Sequence, residues 1–232
     1  MTDHTSAIPE RLQALHERIE SARLRAGTPQ PVTLIAVSKR QSLEAVRAAV
    51  AAGQRVFGEN YVQEGVEKRA QIADPELCWH HIGPIQSNKC RDIASAFDWA
   101  QGVDRSRIIQ RLGAARQAQS TPLSVCIQVN ISGEASKSGA APEAVEGLCT
   151  AVLDQPGLQL RGLMAIPAPR TAGGDPERDF AALRVLYERL RDGGLPLDTL
   201  SMGMSDDFEA AIAAGATMVR VGSALFGPRP QG

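Results

Sequence analysis

The sequence lacks an excess of charge of either sign. Its 232 residues include 25 Lys and Arg against 26 Asp and Glu, a net charge of −1, which argues against a binding surface for nucleic acid or an anionic membrane. No apolar run approaches the roughly 20 residues that a membrane span needs. The first ten residues, MTDHTSAIPE, have neither the basic start nor the apolar core of a signal peptide. We therefore predict a cytoplasmic protein without nucleic-acid or membrane partners.

Cysteines are few, and their spacing does not match a metal site. Cys78, Cys90, Cys126 and Cys149 form no C-x-x-C pair and lie mostly within apolar segments. This pattern predicts reduced, buried thiols rather than a disulfide or zinc framework. We expect no metal site.

Short apolar runs alternate with segments of helical periodicity from Val32 onward. Eight strand candidates are present, and seven are followed by a clear helix. This order predicts an α/β fold, a closed (β/α)8 TIM barrel, near the short end of the usual length range. An open doubly wound sheet is the competing architecture, but no G-x-G-x-x-G follows the first strand.

An additional helix is predicted before the first strand. Residues 9–27 carry an apolar stripe formed by Leu12, Leu15, Ile19 and Leu24. We therefore predict one domain, with residues 1–30 forming a helix that packs on a barrel of residues 31–232.

The first strand ends on a lysine. The segment VTLIAV, residues 32–37, is typical of a strand buried on both faces, and it leads directly to Ser38 and Lys39. The simplest interpretation is that Lys39 reaches solvent once the strand has ended. The alternative is an amine in a dry pocket, where desolvation favours the neutral, nucleophilic form that reacts with a carbonyl.

Polar and small residues recur where the other strands end. In a barrel of this kind the carboxyl ends of the strands surround the active site, so we expect these residues to share one pocket with Lys39. They are Asn60 after the second strand, His80 and His81 on the third, Met164 on the sixth, Ser205 after the seventh, and Gly222 and Ser223 after the eighth. Adjacent histidines cannot both face one side of a strand, so one reaches the pocket; we assign His81.

The last two strand ends favour an anion. Gly222 and Ser223 come where a short helix would begin, and Ser205 adds a hydroxyl from the neighbouring loop. Free N–H groups at a helix start favour a phosphate, which is commonly bound there in these barrels. Ordinary helix capping is the alternative for each loop taken alone.

Arg220 lies within the otherwise apolar segment MVRVG. It is either a buried structural ion-pair partner or a group that points into the barrel mouth. An amine opposite a phosphate site suits a ligand with both an aldehyde and a phosphate, such as pyridoxal 5'-phosphate (PLP) or a phosphosugar. If Arg220 faced a pyridine nitrogen, its charge would lower the pKa of that nitrogen and keep it unprotonated.

Several long blocks carry a family resemblance. AVSK, FGENYVQE, WHHIGPIQSNK, NISGEASKSG, GLMAI and MGMSDDFEAAIAAGATMVRVGSALFG occur in order over residues 34–227. Together they closely resemble the YggS/PROSC family of pyridoxal phosphate homeostasis proteins. The resemblance implies a barrel similar to the N-terminal domain of alanine racemase, with PLP as cofactor.

The resemblance also implies roles for individual residues. Lys39 corresponds to the lysine that holds PLP as a covalent aldimine, and Arg220 to the arginine that faces the pyridine nitrogen. The phosphate-binding positions correspond to Ser205, Gly222 and Ser223, and Asn60 to a pocket residue. Lys137 matches a secondary lysine implicated in cofactor handling. Gln41 departs from the family, in which many members have a second lysine two residues after the first.

The family is associated with binding, buffering or delivering PLP, so PLP-dependent apoenzymes are candidate partners. We expect no robust catalytic activity, because alanine racemases take a second base, a tyrosine, from beyond the barrel. The alternatives are a low-activity amino-acid racemase or related Schiff-base enzyme and, ranked third, a phosphosugar aldolase. We expect a monomer or a weak dimer.

Overall fold

A closed barrel of eight parallel strands forms the centre of the protein. The computed structural model describes residues 5–134, 138–168 and 173–227. The strands follow chain order around the barrel, and β8 pairs with β1 to close it. This confirms the predicted (β/α)8 TIM barrel. The strands are β1 Thr33–Val37, β2 Val56–Glu59, β3 Cys78–His81, β4 Trp99–Val103, β5 Leu123–Gln128, β6 Leu158–Met164, β7 Thr199–Ser201 and β8 Met218–Val221.

A helix follows every strand and packs outside the barrel, since each parallel connection has to return to the opposite end of the sheet. Short 3₁₀ turns at Ser87–Lys89 and Pro142–Ala144 precede two of them. The helices are α1 Ile8–Arg25, α2 Leu43–Ala51, α3 Val62–Ile72, α4 Cys90–Ala96, α5 Ser106–Arg116, α6 Val145–Leu153, α7 Pro176–Asp192, α8 Phe208–Ala213 and α9 Ser223–Phe226.

Helix α1 packs against α2, α8 and α9. It does so through Leu12, Leu15 and Ile19, which are buried as predicted, together with Ile8 and Ala22. Leu24 is 63% exposed, so its inclusion in the apolar stripe was wrong. The buried face of the last turn falls on Ala22, three residues after Ile19, as helical periodicity requires. The boundary at residue 31 stays a prediction.

The cysteines are free thiols, of which Cys90, Cys126 and Cys149 are buried and Cys78 is half-buried. Burial raises the pKa of both Cys78 and Cys149 to about 12, so these thiols stay protonated at neutral pH. In the described ranges, no three His, Cys, Asp or Glu side chains are grouped as metal ligands would be. No helix there combines the length and apolarity needed to cross a membrane.

Close approach of β6 to β7 depends on a glycine. A Cβ at Gly162 would lie 1.7 Å from the carbonyl oxygen of Thr199, its partner on β7. We expect Gly162→Ala to separate the two strands and lower the free energy of unfolding by about 1–3 kcal/mol or more. Urea denaturation measures this change.

The matched control is Gly147→Ala, at the third residue of α6, where an added Cβ meets no atom within 4 Å. Alanine is the better helix former, so this variant should gain about 0.5–1 kcal/mol. Equal urea midpoints for the two variants would contradict the proposed strand contact.

Candidate active site

One pocket at the carboxyl ends of the strands brings together six of the eight predicted site residues. These are Lys39, Asn60, Ser205, Arg220, Gly222 and Ser223. Val37, Ile82, Ile166, Met204 and Asp206 complete its lining, and its volume is about 240 Å³. The pocket therefore combines an amine, a guanidinium and two hydroxyls with an apolar wall.

The structure does not bring His81 and Met164 into this pocket. The ring of His81 meets Phe97 edge to face, with 5.4 Å between centroids, and so points out of the barrel toward the helices. His80 is the histidine that points inward. Met164 is buried inside the barrel with Trp99 and Cys126; Ile166, two residues further on, lines the pocket instead.

A tight turn after β1 presents Lys39. Ser38 is fully buried, Lys39 is half-buried, and Arg40 has a φ of 59°, in the left-handed region that non-glycine residues seldom adopt. The backbone N–H of Arg40 donates to Glu64 Oε1 at 2.6 Å. The surrounding contacts thus stabilise a strained turn, which directs the Lys39 side chain into the pocket.

Lys68 on α3 holds the same turn from behind. Its Nζ donates to the Ser38 carbonyl oxygen at 2.6 Å, to Glu59 Oε1 at 2.8 Å and to Glu64 Oε1 at 2.7 Å. Three donors therefore meet three acceptors. Burial raises the pKa of Glu59, while Lys68 and the Ser38 hydroxyl, which donates to Glu59 at 2.7 Å, act in the opposite direction.

Lys68 is not among the residues predicted from the sequence, since a lysine in mid-helix is usually solvated. The available signal was Glu64, four residues earlier on the same helix face. Because Glu59 and Glu64 both bind Lys68, this group fixes the backbone on either side of Lys39.

The loops after β7 and β8 form the polar end of the pocket. Gly222 precedes α9, and the Ser223 hydroxyl donates to the Ser205 hydroxyl at 3.1 Å. Ser223 is exposed and Ser205 half-buried. Two hydroxyls and the N–H groups of a turn are a donor set that suits an anion open to solvent on one side.

Arg220 lies at the buried end of the pocket and is 4% exposed. Its two terminal nitrogens donate to Ser201 Oγ at 2.7 Å and to the Ala165 carbonyl oxygen at 2.8 Å. Burial lowers its pKa to about 10, and Asp207 raises it, so the guanidinium stays charged at neutral pH. Of the two predicted alternatives, the structure supports a group that lines the pocket.

A larger cavity of about 720 Å³ lies at the opposite end of the barrel, near the start of the strands. Its lining includes Arg161, Arg184 and Tyr187. Both arginines are already paired, with Asp198 and Glu188 respectively. This end of such barrels serves stability rather than chemistry, so we assign the site to the smaller pocket. Lys137, the predicted secondary lysine, lies outside the described residues.

Comparison with known proteins identifies the family. The alanine racemase N-terminal domain family matches residues 11–230. The pyridoxal phosphate homeostasis protein of Pseudomonas aeruginosa is 55% identical over 228 residues, which cover 98% of each chain. The chain belongs to the pyridoxal phosphate homeostasis protein family. The Escherichia coli member is 48% identical over 229 residues, covering 96% of this chain and 97% of that one.

Solved structures agree with this membership. PipY of Synechococcus elongatus, solved with PLP bound, is 38% identical with a TM-score of 0.79, covering 95% of this chain and all of the other. Alanine racemase of Streptomyces coelicolor is 21% identical with a TM-score of 0.77 and shows the fold alone; the match covers 97% of this chain and 59% of the racemase. The family expected from the sequence motifs is confirmed.

Proposed function

We propose that this protein binds PLP covalently through Lys39 and takes part in PLP homeostasis. The observation that carries the proposal is the pocket in which the Lys39 amine, the Ser205 and Ser223 hydroxyls and the Arg220 guanidinium converge. PLP-bound PipY and the name shared by the close relatives support it.

The chemistry of the donor set fits the cofactor. PLP supplies an aldehyde that condenses with an amine, and a conjugated ring that withdraws electrons. Lys39 would supply the amine for that condensation, in which the aldehyde oxygen is released as water. Ser205, Ser223 and the Gly222 turn would hold the phosphate, Asn60, which follows β2, would line the cofactor's side of the pocket, and Arg220 would present a positive charge to the ring nitrogen.

The remaining residues favour a carrier over a racemase. Tyr61 lines a neighbouring cavity, and the Tyr187 hydroxyl is buried at the opposite end of the barrel, where it donates to the Leu197 carbonyl oxygen. Neither tyrosine lines the Lys39 pocket, so neither is in position to act as a second base. Delivery of PLP to apoenzymes, a cytoplasmic location and a monomeric or weakly dimeric state stay predictions.

Replacing the lysine tests the proposal. PLP-treated protein reduced with borohydride should carry the pyridoxyl group on Lys39, as read by peptide mapping, and should lose the absorbance band of the Schiff base. Lys39→Ala should abolish this adduct, because Lys39 is the amine that lines this pocket among the residues that the structure describes.

Lys89→Ala is the matched control. Lys89 is half-buried and lines the adjoining cavity, which shares Asn60 with the Lys39 pocket. This variant should keep the wild-type adduct. An undiminished reducible adduct in Lys39→Ala would show that another lysine holds the cofactor.

A further inference from the structure

A row of polar side chains crosses the barrel interior and ends on Arg220. The Arg220 guanidinium donates to Ser201 Oγ at 2.7 Å, and that hydroxyl donates to Gln101 Oε1 at 2.7 Å. Gln101 Nε2 lies 2.9 Å from His80 Nδ1. Ser201, Gln101 and His80 are each at most 1% exposed. Polar groups are costly to bury there, so each has to find a partner within the row.

The direction of every hydrogen bond in the row follows from its chemistry. Arginine only donates, so Ser201 accepts from Arg220 and gives its own hydrogen to Gln101 Oε1. The Gln101 amide nitrogen then faces His80 and donates to Nδ1. The proton of a neutral His80 is therefore on Nε2, which faces Cys78 Sγ at 3.4 Å.

His80 is fixed in the neutral form that the row requires. Its ring stacks on Trp99 with 4.9 Å between centroids and 7° between planes. Burial lowers the pKa of His80 to about 3, in agreement with this arrangement. His80 is thus a hydrogen-bond acceptor for Gln101 throughout the physiological pH range.

The hydrogen-bond partners that hold Arg220 are all uncharged, and Asp207 acts on it only through its charge. Ser201 and the Ala165 carbonyl take one terminal nitrogen each, and behind Ser201 lie an amide and a neutral imidazole. A contacting carboxylate would hold the guanidinium equally well but would cancel much of its field. A neutral row fixes the position of Arg220 and leaves its charge acting on the pocket.

We propose that Ser201 and Gln101, supported by His80, are positioning residues for Arg220: they hold the guanidinium through uncharged hydrogen-bond partners, so that its positive charge keeps the ring nitrogen of a bound cofactor unprotonated. This inference rests on the proposed function and deepens it, because it assigns a role to residues that do not line the pocket.

The decisive variant is Gln101→Glu, which puts a carboxylate one hydroxyl away from Arg220. The readout is the ¹⁵N resonance of the ring nitrogen of labelled PLP, followed as a function of pH in the loaded protein. We expect the pKa of the ring nitrogen to rise by about one to three units relative to wild type. A merely structural role would change occupancy without moving this resonance.

The matched control is Gln128→Glu, the same substitution at another glutamine that is 5% exposed, whose amide donates to the Ser138 carbonyl outside the row. The ring nitrogen of PLP bound to this variant should titrate as in wild type. Among the described residues, Lys39 and Asp206 also line the pocket and Asp207 acts on Arg220; these groups are the same in all of these proteins.

If Gln101→Glu does not fold, the variants Ser201→Ala and Ser201→Thr test the same inference. Ser201→Ala removes the hydroxyl that holds Arg220, so the pKa of the ring nitrogen should rise by less than in the glutamate variant, and Ser201→Thr should restore it. The inference is overturned if the ring nitrogen of PLP titrates in Gln101→Glu as it does in wild type. If Gln101→Glu does not fold, the same result in Ser201→Ala overturns it. Failure of the unmodified protein to take up PLP instead rejects the proposed function itself.

Discussion

The free energy of unfolding should fall steeply as the pH is lowered from about 7 to 4, because two buried histidines stay neutral in the folded barrel. Burial lowers the pKa of His80 to about 3, and burial likewise lowers that of His81 to about 4, although the Asn60 backbone opposes the latter shift. In the unfolded chain both should titrate near their ordinary value of about 6.5.

The direction of this pH dependence follows from the number of protons that each state binds. Between the ordinary and the lowered pKa the unfolded state holds more protons than the folded state, so stability present above about pH 6.5 is lost as the pH falls. Each histidine contributes about 1.4 kcal/mol per pH unit within that window. Urea denaturation at a series of pH values measures the slope.

Carboxylates that titrate in the same pH range also contribute to this slope. Two variants distinguish the contribution of the histidines from theirs. His81→Leu should reduce the slope by about 1.4 kcal/mol per pH unit between pH 6 and 5, because one of the two groups is gone. His16→Gln, on the exposed side of α1, should leave it unchanged. An unaltered slope in His81→Leu would contradict the assignment of a neutral, buried imidazole.

Lys68→Met should lower the free energy of unfolding by about 3–5 kcal/mol, the usual result of removing one partner from a buried ion pair. Methionine fills a similar volume but leaves Glu59, whose side chain is fully buried, without its cation. The variant also removes the hydrogen bond to the Ser38 carbonyl. The turn that carries Lys39 should therefore loosen, and PLP should bind more weakly.

The double variant Lys68→Met with Glu59→Gln is the informative comparison. It removes the negative charge of Glu59 that Lys68→Met leaves without a partner, so it should recover part of the stability lost in the single variant. Glu76→Gln, at an exposed ion pair with Arg55, should change stability by less than about 1 kcal/mol. If Lys68→Met were no more harmful than Glu76→Gln, the buried pair would not support the turn.

The fold and most of the pocket could be predicted because they depend on local patterns. Alternating strands and helices define the barrel, and the barrel gathers the strand ends into one place. Lys39 and Ser205 could thus be assigned to one pocket from their positions after strands. This assignment depends on where the strands end and not on the side-chain contacts of Lys39 or Ser205.

The errors came where a local pattern does not determine direction. Period two shows that His80 and His81 face opposite sides, but with both faces of the strand buried it does not show which side is the interior. The partnership of Lys68 with Glu59 joins a helix to the preceding strand, and the row behind Arg220 joins four strands. Such contacts arise only from the assembled barrel.

Closure between β8 and β1 links ligand binding to completion of the barrel. The pair Ile35 and Arg220 marks this seam, and the pocket residues on its two sides come from opposite ends of the sequence. The site is therefore incomplete until β8 has paired with β1. In the closed barrel, a ligand at 100 times its Kd increases the free energy of unfolding by about 2.7 kcal/mol. A bound cofactor would therefore help to keep β8 paired with β1.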